Sequence, residues 1–111
     1  MQRLKTRAQF EAVMAAGIAA RTAHFALHRM PAPDPIIGVV LPKRWAKRAV
    51  TRNTIKRQIH SVSEAATLPA AAYIVRLRSA FDRTQFASAT SVALKRAVRA
   101  ELQQLFAQAA V

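Results

Sequence analysis

The sequence of 111 residues contains no cysteine and few acidic side chains. Without cysteine, the chain can form no disulfide framework, thiolate zinc site or thiol nucleophile. Its longest apolar run, Ile36 to Leu41, is far short of the roughly 20 residues that span a bilayer, and Met1 to Phe10 hold no apolar segment of a signal peptide. Two glycines and five prolines are too few for a disordered or fibrous chain. We therefore expect a folded, cytoplasmic protein that does not bind membranes.

The charge of the chain is strongly one-sided. Against 5 aspartates and glutamates stand 18 lysines and arginines, which gives a formal net charge of +13. So much charge on a small body is self-repulsive, and a polyanionic partner is expected. A nucleic acid is favoured over an acidic membrane face or an acidic protein, because phosphates release counterions when lysine and arginine neutralise them.

Hydrophobic periodicity predicts one α+β domain over residues 1–111. Thr6 and Gln9 have capping-box spacing and Gly17 offers a stop, so the first helix is predicted between them. Further helices are predicted over 51–66 and 90–109, with an extra helical turn within 78–88. Strands are predicted over 24–30, 36–41 and 73–77, the first two as an antiparallel pair joined by a proline-rich turn. The expected fold is a sheet of three to four strands with helices packed on it, in the order α-β-β-(β)-α-β-α.

The segment from Lys43 to His60 is rich in cations and contains no acid. Helical geometry at about 100° per residue places Asn53, Lys56, Arg57 and His60 in one arc, with Arg52 at its edge and the isoleucines opposite. A solvated helix face normally mixes charges to form i,i+4 pairs, whereas this face has only repulsive neighbours. We predict that it binds RNA, with the cations on phosphates and Asn53 on a base edge or sugar.

The run from Ala49 to His60 resembles the signature of the bacterial ribonuclease P protein subunit, in which Arg-Asn, two residues and Lys-Arg open the central helix. Flanking blocks also match this family. They are Leu4-Lys5, Phe10, Val13 and Gly17 in the first helix, Phe25 and Leu27 in an early strand, Gly38 to Arg44 in the following strand, and Leu68-Pro69 before the strand predicted over 73–77. The resemblance implies a fold like the second domain of a small-subunit ribosomal protein, with a possible left-handed β-α-β crossover.

The resemblance also implies a function. In this family a catalytic RNA removes the 5′ leader of precursor tRNA with magnesium, and the protein binds that RNA and the leader. Carried over by position, the contacts to the catalytic RNA are Lys43, Arg44, Lys47, Arg48, Arg52, Asn53, Lys56, Arg57 and His60, the last in place of the usual arginine. The leader-binding cleft, between the first helix and the sheet, maps to Phe10, Met14, Phe25 and His28. We expect one protein per RNA, magnesium held mainly by the RNA, and no metal, cofactor or catalytic residue on the protein.

Other functions receive less support from the sequence. A stand-alone ribonuclease would need a paired acid and base, and His60 has no obvious partner. His24 and His28 would be about 13 Å apart on a strand, too far for one metal ion. Trp45 could stack on a base or simply cover the start of the helix. The main alternative is a general RNA-binding protein, such as a ribosomal protein or RNA chaperone, with no role in tRNA processing. A helix-turn-helix DNA binder would need a helix where the strand at 36–41 is predicted.

Overall fold

A computed structural model describes residues 1–81 and 92–109 of the chain. Its elements are, in order, β1 (Gln2–Arg3), α1 (Arg7–Ala15), β2 (Ile18–Arg21), β3 (Phe25–Pro31), β4 (Ile36–Val40), α2 (Ala49–Ala65), β5 (Ala71–Leu77) and α3 (Val92–Ala109). The predicted α+β class is confirmed, although five strands, not three to four, form the sheet. None of the described helices is both long enough and apolar enough to cross a membrane. The helical turn predicted within 78–88 lies mostly outside the described residues.

Helix α1 begins and ends at the residues that the sequence indicates. The Thr6 hydroxyl accepts a hydrogen bond from the Gln9 backbone N–H at 3.2 Å, and Gln9 Oε1 accepts one from the Thr6 N–H at 3.1 Å. This reciprocal capping box satisfies two donors that the helix itself leaves unpaired. Gly17 then adopts a φ of 96°, a left-handed conformation that a residue without Cβ reaches at little cost. The chain can therefore turn directly from α1 into β2.

The strand order of the sheet is β1-β4-β5-β3-β2. Strand β5 is parallel to β4 and antiparallel to β3, and it lies between them. The prediction that β3 and β4 pair directly is therefore wrong. The physical reason is burial: every residue of β5 except Arg76 is buried, and a strand that is apolar on both faces belongs at the centre of a sheet. Strands β1 and β2 were not predicted individually, because they are short and β2 carries an irregularity in its register.

The two faces of the sheet carry separate apolar clusters. The larger one joins β3, β4 and β5 to the apolar sides of α2 and α3, through Leu27, Tyr73, Ile59 and Leu102 among others. The smaller one lies under α1 and consists of Leu4, Val13, Ala72 and Ile74. Helix α1 also covers the backbone of β4, where a Cβ built on Gly38 would be only 2.7 Å from the Phe10 ring. The two faces thus present two different surfaces, one beside α1 and one beside α2.

Candidate nucleic-acid interface

Helix α2 presents the predicted basic face to solvent. Asn53, Lys56 and Arg57 are exposed, whereas Ile55 and Ile59 on the opposite side are almost completely buried. The three exposed side chains form no hydrogen bond or ion pair with any residue of the described ranges. Because burial of the isoleucines fixes the rotation of the helix, the polar groups are held outward and remain available to an external polyanion.

The loop that leads into α2 carries the remaining predicted cations. Lys43, Arg44, Lys47 and Arg48 are all exposed. Arg52 differs from them, because its Nη1 donates hydrogen bonds to the carbonyl oxygens of Ala46 at 2.9 Å and Lys47 at 2.8 Å. Arg52 therefore fixes the loop against the first turn of α2. This structural role comes in addition to the RNA contact predicted for it.

His60 lies in a shallow depression that α2 shares with β1. Arg3, Lys56, Arg57 and Glu64 surround the same depression. Burial, followed by the charges of Arg3 and Lys56, holds the pKa of His60 below its ordinary value of 6.5, while Glu64 acts in the opposite direction. The imidazole is therefore neutral at pH 7, unlike the arginine that is usual at this position in the family that the sequence resembles. Neither Arg3 nor the proximity of Glu64 was predicted from the sequence; the i,i+4 spacing of His60 and Glu64 was the available signal.

The face beside α1 contains three of the four residues predicted for a leader cleft. Phe10 and Met14 are half-buried and pack against the smaller apolar cluster. His28 of β3 is 5% exposed, and its Nε2 accepts a hydrogen bond from Arg76 Nε at 3.2 Å. Arg76 was not predicted, although a lone arginine in an otherwise apolar strand was a visible signal. The face beside α1 therefore combines apolar side chains with the guanidinium group of Arg76.

Phe25 does not belong to this face. Successive residues of a strand point to opposite sides of a sheet, so residues 25 and 28 of β3 cannot share one. Phe25 is fully buried in the larger cluster, with its ring centroid 5.9 Å from that of Phe81. The prediction that Phe25 lines the cleft with Phe10 and Met14 is therefore wrong, and Phe25 is a core residue.

The protonation of His28 follows from its surroundings. Burial and then the Arg76 guanidinium lower its pKa below 6.5, against a weaker upward effect of the Gly17 and Met14 backbone. Because Nε2 accepts from Arg76, the proton of the neutral ring resides on Nδ1, which is buried and has no hydrogen-bond partner among residues 1–81 and 92–109. The imidazole therefore orients Arg76 and does not add charge to the face beside α1.

Across residues 1–81 and 92–109, no three histidine, aspartate or glutamate side chains come close enough to hold a metal ion. His24 is instead paired with Glu101 of α3, with 2.9 Å between Nδ1 and Oε2. The other carboxylate oxygen of Glu101 accepts the His24 backbone N–H, and the imidazole stacks on Phe81 at 4.0 Å between centroids. His24 thus joins the start of β3 to α3 and has a structural role.

Comparison with known proteins finds one family that matches almost the whole chain. Residues 1–109 match the protein family described as Ribonuclease P. The ribonuclease P protein component of Bordetella parapertussis is 45% identical over 76 residues, which cover 67% of this chain and 58% of that relative. The corresponding protein of Burkholderia mallei is 34% identical over 93 residues, or 81% of this chain and 68% of that relative. The match therefore spans less than two thirds of the length of the Bordetella protein.

Solved structures agree with the observed fold. The ribonuclease P protein of Staphylococcus aureus aligns with a TM-score of 0.76 and 19% identity, covering 100% of this chain and 99% of that one. The protein of Thermotoga maritima aligns with a TM-score of 0.72 and 18% identity, covering 96% of each chain. At these identities the likeness shows a shared fold.

Proposed function

Because the chain belongs to the ribonuclease P protein family, we propose that it acts as the protein subunit of a ribonuclease P ribonucleoprotein. In this role it binds a catalytic RNA and the 5′ leader of precursor tRNA in the cytoplasm, and it assists magnesium-dependent removal of the leader. The observation that carries the proposal is the exposed cationic face of α2, centred on Asn53, Lys56 and Arg57, within the matched residues.

The face of α2 is suited to the sugar-phosphate backbone of a folded RNA. Lys56 and Arg57 project from adjacent positions of the helix, and the loop before it adds Lys43, Arg44, Lys47 and Arg48. Each phosphate that these cations neutralise releases counterions, which supplies affinity without sequence preference. Asn53 adds an amide that both donates and accepts, so it can contact a base edge or a 2′-hydroxyl group.

The face beside α1 is suited to an unpaired leader strand. Phe10 offers a half-buried aromatic ring, and stacking of a base on such a ring contributes about 1 to 3 kcal/mol. Met14 and His28 stand where the family often has aromatic residues, and His28 is almost fully buried. We therefore infer that Phe10 and Arg76 contribute most of the leader contact, one through stacking and the other through charge.

We assign the chemistry to the RNA. On the α2 face, His60 and Glu64 are one helical turn apart and form no hydrogen bond to each other among the described residues. We also propose that the magnesium ions are held mainly by the RNA; among residues 1–81 and 92–109 no three histidine, aspartate or glutamate side chains are grouped together. One protein per RNA is the stoichiometry that we propose.

Reconstitution tests this function directly. Purified protein is added to a bacterial ribonuclease P RNA at low magnesium, and release of the 5′ leader from precursor tRNA is scored. We expect stimulation that requires the RNA, weaker for Arg57→Ala and unchanged for Lys5→Ala, which removes one exposed lysine outside the α2 face.

Two outcomes would contradict the proposal. Cleavage by the protein alone would transfer the chemistry to its own side chains, with His60 and Glu64 as the first pair to replace. Binding without stimulation of any class of ribonuclease P RNA would leave a general RNA-binding protein.

A further inference from the structure

We propose that a cavity at the start of α2 binds one unpaired RNA nucleotide, with the base against Trp45 and the phosphate at a cationic rim. The cavity has a volume of about 180 Å³ and lies between the loop at 44–48, the first turns of α2 and the segment at 80–81. The inference rests on the proposed function in that the nucleotide would belong to the RNA bound by α2.

The inner wall of the cavity is apolar. Ile55, which is 1% exposed, and the half-buried Phe81 line it together with Trp45. The volume is several times the roughly 30 Å³ that one water molecule occupies, and it is below the roughly 300 Å³ at which pockets for complete small-molecule ligands begin. A single planar ring system therefore suits this space better than either water or a larger ligand.

The indole of Trp45, which lines the cavity, carries a hydrogen-bond donor that no described residue accepts from. Its Nε1 is buried and has no hydrogen-bond partner in the described part of the chain. Buried polar atoms without partners are rare in folded proteins, and an indole N–H can only donate. Carbonyl oxygens and ring nitrogens of nucleobases are acceptors, so a base that shifts the Trp45 ring as it enters the cavity can satisfy this group, which is closed to solvent in the free protein.

The rim of the cavity attracts anions. Lys47 and Arg48 are exposed, and the Arg44 guanidinium lies 5.3 Å from the centroid of the Trp45 ring. None of the described residues that line the cavity is acidic. Helix α2 starts here with no side-chain cap and no acid in its first turn, so nothing on that turn offsets the positive field. An unpaired nucleotide combines a flat ring with a negative phosphate, which matches both parts of the site.

Fluorescence of Trp45 provides a direct test, because it is the only tryptophan of the chain. The full-length protein is titrated with a single-stranded adenosine tetranucleotide, and separately with an abasic oligomer that carries the same number of phosphates. Binding of both is measured by calorimetry at the same salt concentration. We expect the tetranucleotide to quench the emission of Trp45, and the abasic oligomer to bind with little change in emission.

Variants separate the two parts of the site. Trp45→Phe keeps an aromatic ring but removes the N–H donor, and we expect it to weaken tetranucleotide binding about tenfold, the equivalent of one hydrogen bond, without affecting the abasic oligomer. Lys47→Ala should weaken binding of both oligomers, while Lys5→Ala, an exposed lysine outside the cavity, should weaken neither. Far-ultraviolet circular dichroism verifies that each variant is folded.

The proposal would be overturned by equal changes in Trp45 emission with both oligomers, or by tetranucleotide binding that leaves the emission unchanged. Failure here is distinguishable from failure of the proposed function. If only the nucleotide site is wrong, the protein still stimulates leader release. If the proposed function is wrong, the tetranucleotide quenches Trp45 but no ribonuclease P RNA is stimulated.

Discussion

Replacement of Gly38 by alanine tests how closely α1 packs on the sheet. The added Cβ would lie 2.7 Å from Phe10 Cε1 and 2.8 Å from Leu4 Cδ1. Carbon atoms in contact prefer about 3.5 to 4.0 Å, so both neighbours must move by roughly 0.7 Å or more. Leu4 is 9% exposed and Phe10 is held in α1 above the strand, so neither has an unhindered way to retreat.

The expected cost follows from two opposing effects. Overpacking a well-packed core typically lowers the free energy of unfolding by about 1 to 3 kcal/mol, whereas replacing glycine by alanine raises it by about 0.4 to 1 kcal/mol by restricting the unfolded chain. We therefore expect Gly38→Ala to lower the free energy of unfolding by about 1 to 2 kcal/mol. For a domain of roughly 100 residues this corresponds to a decrease of about 4 to 16 °C in Tm.

Urea denaturation at fixed sulfate concentration measures this change, and a double-mutant cycle identifies its cause. Phe10→Leu shortens the side chain that the new Cβ meets, so Gly38→Ala should cost less in that background. Gly17→Ala serves as a matched control. Alanine is strained there by the φ of 96°, but its Cβ would meet no described atom within 4 Å, so Phe10→Leu should not relieve its cost. If Gly38→Ala costs the same in both backgrounds, close packing of Phe10 on β4 is refuted.

Three further predictions concern charge. Arg57→Ala should reduce the salt dependence of RNA binding by about one phosphate contact without moving the urea midpoint. Arg52→Ala should change both the salt dependence and the midpoint, because it also removes the hydrogen bonds to two loop carbonyls. Equal midpoints for the two variants would contradict this. Because the folded-state pKa values of His28 and His60 lie below 6.5, the unfolded chain binds more protons in the window just below that pH, and stability should fall as pH decreases through it. Urea midpoints measured from about pH 7.5 to 5.5 check this, and a profile no flatter in the His28→Gln, His60→Gln double variant would assign the slope to other groups. With a formal charge of +13, the free protein should gain stability as sulfate is added, since anions that bind only the folded form favour it; circular dichroism that is identical at every sulfate concentration would argue against this.

Local signals in the sequence predicted the helices well, because their causes are local. The Thr6–Gln9 capping box and Gly17 delimit α1, and the isoleucine stripe of α2 sets which of its sides is buried. The neighbours of β5 could not be predicted in the same way, since pairing joins residues far apart in the chain and a buried strand does not encode its partners.

In the candidate sites too, local features could be predicted from the sequence and contacts between distant residues could not. The exposed face of α2 follows from helical periodicity, so Asn53, Lys56 and Arg57 were placed correctly. The assignment of Phe25 to the cleft relied on the resemblance alone, whereas strand alternation with His28 would have placed it on the other side. The bonds from Arg52 to the loop depend on the loop conformation, which no sequence pattern specified.

The central position of β5 also has a consequence for synthesis of the chain. Strands β3 and β4 leave the ribosome before β5, and their inner edges have no partner until Ala71–Leu77 is available. A nascent chain that stops earlier cannot complete the sheet, and its open strand edges are prone to pair with other chains. Helix α2 is encoded between β4 and β5 and packs against α3 in the larger apolar cluster, so its apolar side gains full support only after β5 and α3 have both been made. The basic face thus becomes a fixed surface late in translation, when nearly the whole domain has been made.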